Sequence, residues 1–228
     1  MRINQYIAKN SSFSRRKVDD LIINGLVLIN DEPAKLGSTI IPGKDIVKLN
    51  NRVIEEDNTT ITIAFNKPRG YVVSRLGQDN KTIYDILPNQ YKRLNPVGRL
   101  DKNSSGLLIL SSDGNLIQEL SHPKNNKVKT YIVQIDKNLI PADLKKINLV
   151  GVSLYDGISK LNLTIIDDKN PKTWRVKMTE GRNRQIRRTF EALGYKVIDL
   201  HRTRFGEISL DNLKSGEVRV LSSVNRDK

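Results

Sequence analysis

Four short stretches of this 228-residue chain place reactive side chains at useful spacings. In Gly98-Arg99-Leu100-Asp101-Lys102-Asn103-Ser104-Ser105-Gly106, one carboxylate sits between two cations in a glycine-bounded loop that runs between apolar segments. A neighbouring cation lowers the pKa of an Asp and keeps it ionised. A held, ionised carboxylate can act as nucleophile or base, or it can simply close a salt bridge within the loop. In Glu180-Gly181-Arg182-Asn183-Arg184-Gln185-Ile186-Arg187-Arg188-Thr189-Phe190, Asn183 is placed to cap a helix carrying Arg184, Arg187 and Arg188 within one turn of each other. Cations this close repel, so the cluster calls for phosphates or a carboxylate as partner. Tyr131 heads a strand in Lys129-Thr130-Tyr131-Ile132-Val133. A tyrosine there can stack on a nucleobase and exchange a proton, although a lone strand tyrosine is also ordinary core. Lys67 and Arg69 flank Pro68 in a stiff basic turn, Asn66 to Gly70, at the end of a strand.

The elements that must hold these stretches read as follows. Strands are predicted over 60–65, 107–110, 130–135, 161–166, 174–178 and 196–200, and helices over 115–121, 141–147 and 183–193. Strands outnumber helices without a regular βαβ rhythm, which predicts an α+β domain with a mainly antiparallel mixed sheet. Ahead of it lies a smaller pattern. Ile3, Tyr6 and Ile7 share a helical face, Ser14 caps a second helix over 15–24, and Gly25 ends it. Strands over 27–29 and 46–49 follow. The polar Asp57-Asn58-Thr59 reads as a linker, giving domains 1–58 and 59–228.

Composition narrows the chemistry. Lys plus Arg is 39 and Asp plus Glu is 25, a net charge of +14 that favours a polyanion as partner. Residues 1–58 carry only +1 of it and 59–228 carry +13. With no cysteine, thiolate metal sites, disulfides and cysteine nucleophiles are excluded, and only His122 and His201 offer imidazole. No apolar run approaches the roughly 20 residues that span a bilayer. The polar start has no signal-peptide core, so a cytosolic location is expected.

Arg15, Arg16 and Lys17 crowd the first turn of the second helix, where the dipole favours anions. An external phosphate would turn that cost into a gain. Together with Arg2 to Ala8 and Ile23 to Asn30, this stretch resembles the alpha-L RNA-binding domain, over about residues 1–50. The larger segment resembles the pseudouridine synthases that modify ribosomal RNA, in the branch with an N-terminal alpha-L domain. The resemblance rests on Gly98-Arg99-Leu100-Asp101, Ser105-Gly106-Leu107-Leu108, Ser112-Asp113-Gly114, His122-Pro123, Lys129-Thr130-Tyr131, Glu180 to Arg188 and Leu193-Gly194. One departure is Lys-Asn-Ser-Ser-Gly after Asp101, where Thr-Ser-Gly is common.

This resemblance implies isomerisation of a uridine to pseudouridine with no metal and no nucleotide cofactor. Asp101 would be the essential carboxylate, attacking covalently or removing a sugar proton. Arg187 would pair with Asp101, and Tyr131 would stack on the uracil. Lys67, Arg69, Arg75, Lys102, Arg182, Arg184, Arg188, Arg202 and Arg204 would hold surrounding phosphates, and Arg99 would sit beside Asp101. Arg15, Arg16 and Lys17 would add a tethered contact. The partner implied is ribosomal RNA, free or in a partly assembled subunit, bound by a monomer. Ser121-His122-Pro123 leans toward the large-subunit branch. The rival readings are a non-catalytic RNA-binding ribosome-assembly factor and a carboxylate hydrolase, for which Asp113 is the nearest second acid.

Overall fold

Ile3, Tyr6 and Ile7 recur at helical spacing and form α1 (Ile3–Lys9), with all three side chains buried. The structure, a computed structural model, describes residues 1–11, 13–56, 59–167 and 170–225. The Ser14 hydroxyl accepts the backbone N–H of Lys17 at 3.2 Å and starts α2 (Arg15–Ile23), which buries Val18 and Ile22. Gly25, at φ +70°, turns the chain out of the helix. β1 (Val27–Ile29), β2 (Glu32–Pro33), β3 (Val47–Leu49) and β4 (Arg52–Val53) then form a sheet in the order β2-β1-β3-β4. Its apolar side packs with α1 and α2 around Ile7, Val18, Val27 and Val47. Helix, helix, strand, strand is the order expected, with the short β2 and β4 added. The Asp57-Asn58 part of the expected linker lies outside the described residues.

The chain divides into two compact units, one around Met1–Thr60 and the other Ile61–Ser223. In the larger, β5 (Thr59–Lys67), β6 (Asn95–Pro96) and β7 (Ser105–Ser111) lead to α3 (Gly114–Ser121). The Asp113 carboxylate caps α3 by accepting the N–H groups of Asn115 and Leu116. Next come β8 (Lys129–Ile135), α4 (Pro141–Lys145) with a π-helical turn Lys146–Val150, and the hairpin β9 (Val152–Leu154) and β10 (Gly157–Ser159). β11 (Asn162–Ile165), β12 (Thr173–Met178), α5 (Gln185–Glu191), β13 (Val197–Phe205), β14 (Ile208–Ser209) and β15 (Val218–Asn225) complete the order.

The main sheet runs β11-β12-β8-β13-β7-β5-β15. β11 to β13 pair antiparallel, as do β5 and β7, while β13 and β7 run parallel. This is the mixed, mainly antiparallel α+β sheet expected. One face is sealed by Phe65, Leu108, Val133 and Val176 with Ile186 and Phe190 of α5. Where β7 meets β13 the backbones touch: a Cβ on Gly106 would lie 2.2 Å from the Arg202 carbonyl oxygen, and Gly106 has φ +103°. Only glycine fits there.

Candidate active site

Asp101 lies in the loop that enters β7, and the loop is fixed from beneath. Lys67, at the end of β5, is fully buried. Its ammonium donates to the carbonyls of Pro68 (2.9 Å), Asp101 (3.2 Å) and Ser104 (2.7 Å). Burial pulls its pKa down to about 8, against the opposing charge of Asp101. Lys67 therefore has no donor left for a phosphate, contrary to expectation: two of its three donors go to the Asp101 loop and the third to the Pro68 carbonyl. The Gly70 N–H donates to the Lys102 carbonyl at 2.7 Å and the Ser104 N–H to the Asp101 carbonyl at 3.1 Å, closing the turn.

The Asp101 side chain is one-third exposed. It opens on a cavity of about 450 Å³ whose lining includes Arg99, Asp101, Lys129, Tyr131, Arg182, Arg184, Arg202 and Phe205. That volume is in the range of small-ligand sites. Tyr131 is almost fully buried in the wall, set by the alternation of β8, whose Thr130 and Ile132 face the other side of the sheet. The structure thus brings together Asp101, Tyr131, Arg99, Arg182, Arg184 and Arg202 from four separate stretches.

The guanidinium in ion-pair range of Asp101 belongs to Arg184, with Nη1 3.8 Å from Oδ2. The implied pairing with Arg187 is absent. Arg187 instead donates to the carbonyls of Val197 (3.1 Å) and Asn103 (2.8 Å) and to Ser104 Oγ (3.3 Å). Burial first, then the charge of Arg184, lowers its pKa, while Asp101 raises it. Arg187 therefore acts on Asp101 through the field and through the loop it pins. The reason is local geometry. Asn183 does not cap α5: the residue before the helix is Arg184, in the left-handed conformation at φ +47°. That twist turns Arg184 toward the cavity and leaves Arg187 facing backbone carbonyls. Left-handed backbone on a non-glycine residue costs of order 1–3 kcal/mol, and such positions cluster at functional sites.

Other cations expected on phosphates are also committed to the protein. Arg188 makes a bidentate pair with Asp156 (Nη1–Oδ1 2.9 Å, Nη2–Oδ2 2.7 Å) and stacks on Tyr155 at 4.5 Å. Arg182 donates to Asp156 Oδ1 at 3.0 Å and to the carbonyls of Asp156 and Ile158. The hydrogen bond from Arg188 first, then the charges of both arginines, holds the Asp156 carboxyl below the usual range against its own desolvation. The partner the cluster required is thus a carboxylate on the β9–β10 hairpin. Arg75 donates to the carbonyls of Lys92, Arg93 and Leu94 and lies 4.6 Å over the Tyr84 ring, so it braces a loop.

Arg69 is half exposed near Asp199 at 3.5 Å, and Lys102 donates to Asn80 Oδ1 at 2.7 Å; neither lines the cavity. Arg204 lines a second hollow on the opposite face of the sheet, 3.8 Å from Glu207. In the smaller unit Arg15, Arg16 and Lys17 are all exposed on the first turn of α2. Asp113, the hydrolase reading's second acid, is absent from the cavity lining and caps α3. Sequence reasoning missed Asp156 and gave no role to Lys129. The turn-forming Tyr155-Asp156-Gly157 was the available signal for the hairpin.

A family model described as RNA pseudouridylate synthase matches residues 61–192. The chain belongs to that family. As a pseudouridine synthase it is an RNA-modifying isomerase. It is 36% identical over 223 residues to the dual-specificity RNA pseudouridine synthase RluF of Salmonella typhi, covering 97% of this chain and 75% of that one. It is 35% identical over 228 residues to the ribosomal large subunit pseudouridine synthase B of Bacillus subtilis (strain 168), covering 97% and 92%. A crystal structure of a pseudouridylate synthase matches with a TM-score of 0.66 and 30% identity, covering 97% of this synthase and 96% of that chain. No helix among the described residues is long and apolar enough to cross a membrane.

Proposed function

We propose that this protein converts a specific uridine of ribosomal RNA to pseudouridine, with large-subunit RNA as the substrate. The observation that carries the reading is Asp101 opening on a basic cavity whose wall is Tyr131 and whose nearest cation is Arg184. In the reaction the bond between C1′ and N1 breaks, the uracil turns, and C1′ bonds to C5. A proton leaves C5 and N1 takes one up, so the product is an isomer of the substrate, nothing is oxidised and no cofactor is consumed. Asp101 is the catalytic carboxylate at C1′ or its neighbour. Tyr131 stacks on the uracil and lies within reach of the ring proton. Arg187 and Lys67 position the Asp101 loop, and Arg99 and Arg184 grip the RNA at the cavity mouth.

The target uridine leaves its stack to enter the cavity, which costs a few kcal/mol in a duplex and less in a loop. Residues 1–58 form an alpha-L RNA-binding domain that contacts RNA through Arg15, Arg16 and Lys17. The relative named for the large ribosomal subunit, matched over 92% of its length, supports that subunit.

The test is a map of pseudouridines in ribosomal RNA incubated with wild type and with Asp101→Asn. A new pseudouridine in large-subunit RNA, absent with the variant, is expected. Full activity of Asp101→Asn overturns the catalytic assignment. RNA binding without activity in either protein supports an assembly factor instead.

A further inference from the structure

At the wall formed by β8 and β13, the cavity holds two cations with no anion between them. Arg202 is 3% exposed. Its Nε donates to the Leu107 carbonyl at 2.7 Å, which ties β13 to β7. Beyond that bond its guanidinium has no acceptor among the described residues, and Nη2 is buried without a partner. A guanidinium offers five donors and stays charged, so leaving most of them unused in a buried place is costly. Lys129 lies across the same aromatic ring. Its ammonium is 5.5 Å from the Phe205 ring centre and the Arg202 guanidinium carbon is 5.2 Å from it. The charge of Arg202, added to burial, lowers the Lys129 pKa, as expected for like charges sharing a desolvated site.

The one carboxylate acting on Lys129, Glu180, is engaged elsewhere. It accepts Gln185 Nε2 at 2.7 Å and lies 3.2 Å from Arg182 Nε. Lys129 itself spends its donors on the carbonyls of Thr179 (2.7 Å) and Glu180 (3.3 Å), which fixes the ammonium without neutralising it. The protein has therefore built a cationic corner into its substrate cavity, and the carboxylate that acts on it, Glu180, is already paired with Arg182.

We infer that Arg202 and Lys129 form an internal phosphate subsite that receives the phosphodiester next to the target uridine. The inference rests on the proposed function. A whole nucleotide, not the base alone, then enters the cavity. Position along the strands supports this. Tyr131 is the register partner of Arg202, and Lys129 lies two residues along β8 on the same face, about 7 Å away. A uracil on Tyr131 thus leaves the Lys129 end of the cavity to the group joined through its sugar. A full negative charge satisfies two cations where a uracil carbonyl would not.

The experiment uses an RNA fragment spanning the mapped uridine, in native form and with one neutral methylphosphonate at its 5′ or its 3′ linkage. Pseudouridine formation is followed for wild type, Arg202→Met and Lys129→Met. One neutral linkage should cost wild type roughly ten- to a hundredfold in kcat/KM, the scale of a lost charge-assisted hydrogen bond. Arg202→Met should lose as much on native RNA and nothing further on that modified RNA. If Arg202→Met fails to fold, Lys129→Met carries the same comparison. Wild type indifferent to both neutral linkages, or variants as sensitive to them as wild type, would overturn the subsite and leave the proposed function standing. A wild type inactive on native RNA takes both readings down.

Discussion

Lys67 offers the sharpest test of how the site is held. Its ammonium is fully buried and donates to three carbonyls, two of them in the Asp101 loop. Burial holds its pKa at about 8, against the ordinary lysine value of 10.5. The sign follows from proton counts. Between those two values the unfolded chain binds a proton that the folded chain does not, so folding stability rises with pH across that window. For one group with these values the rise from pH 7 to pH 10 integrates to roughly 2–3 kcal/mol. Lys67→Met removes the titrating group while keeping the length of the side chain. Urea unfolding at a series of pH values should show wild type gaining that amount relative to the variant between pH 7 and pH 10. The difference between the two proteins is the quantity to read, because Tyr6, Tyr84 and Tyr195 have pKa values raised chiefly by desolvation and pull both curves the other way at high pH. The same variant leaves three loop carbonyls without their donor, at about 1–3 kcal/mol for each that water cannot reach. It should therefore lower kcat at least tenfold while RNA affinity holds. Parallel stability curves would refute the buried, depressed ammonium. An unchanged kcat would refute its support of the Asp101 loop.

Two further perturbations test the frame around the cavity. Gly106→Ala forces a Cβ to within 2.2 Å of the Arg202 carbonyl oxygen at a positive φ, so it should cost at least about 3 kcal/mol in urea unfolding; a smaller loss would mean that β7 and β13 separate easily. Asp156→Asn releases Arg182 and Arg188 together. It should lower the thermal midpoint yet steepen the salt dependence of RNA affinity, because two more guanidiniums reach phosphates. Asp156's stabilisation in wild type is full above the ordinary carboxylate pKa of 3.8 and lost as pH falls through its lowered value, so the two proteins should converge in acid. An unchanged salt slope would show that the arginines stay withdrawn without Asp156.

The frame was legible where burial leaves a pattern. Residues 107–110 and 130–135 are apolar or alternating because β7 and β8 lie at the centre of the sheet, and both strands appear, lengthened by a residue or two at the ends. The β9–β10 hairpin was not legible. It is three residues a side, with Ile158 and Tyr155 exposed, so no apolar period marks it. β15 was missed for a similar reason: Val218 to Asn225 mixes polar residues along a strand at the end of the strand order. Asp101 and Tyr131, which line one cavity, stood out as candidates because their motifs are local, while what holds them did not. Lys67 looked like a phosphate ligand because a lysine beside proline and glycine in a basic turn reads as surface. Its acceptors are carbonyls up to 37 residues away, and carbonyls leave no mark in a sequence.

That last point changes what the basic charge means. Lys67, Arg75, Arg182 and Arg188 were expected on phosphates and Arg187 on Asp101, yet each is bound to other protein oxygen. Four of the five have carbonyl or carboxylate partners on the cavity wall or on the loops next to it. Arg75 braces the 92–94 loop from the side. Fixing five long side chains costs rotamer entropy, and a surface that only needed positive charge would not spend it. These cations are better understood as stiff struts that hold one carboxylate and one aromatic ring at a set separation. The cations left facing the cavity are then few: Arg99, Lys127, Lys129, Arg184 and Arg202. Arg99 has no partner among the described residues, and Arg184 has only its 3.8 Å approach to Asp101. On the proposed function, a phosphate arriving at Arg184 would compete with Asp101 for the same guanidinium. Substrate entry would then weaken the ion pair between Arg184 and Asp101 at the moment the carboxylate is needed, while Arg187 and Lys67 keep its backbone still.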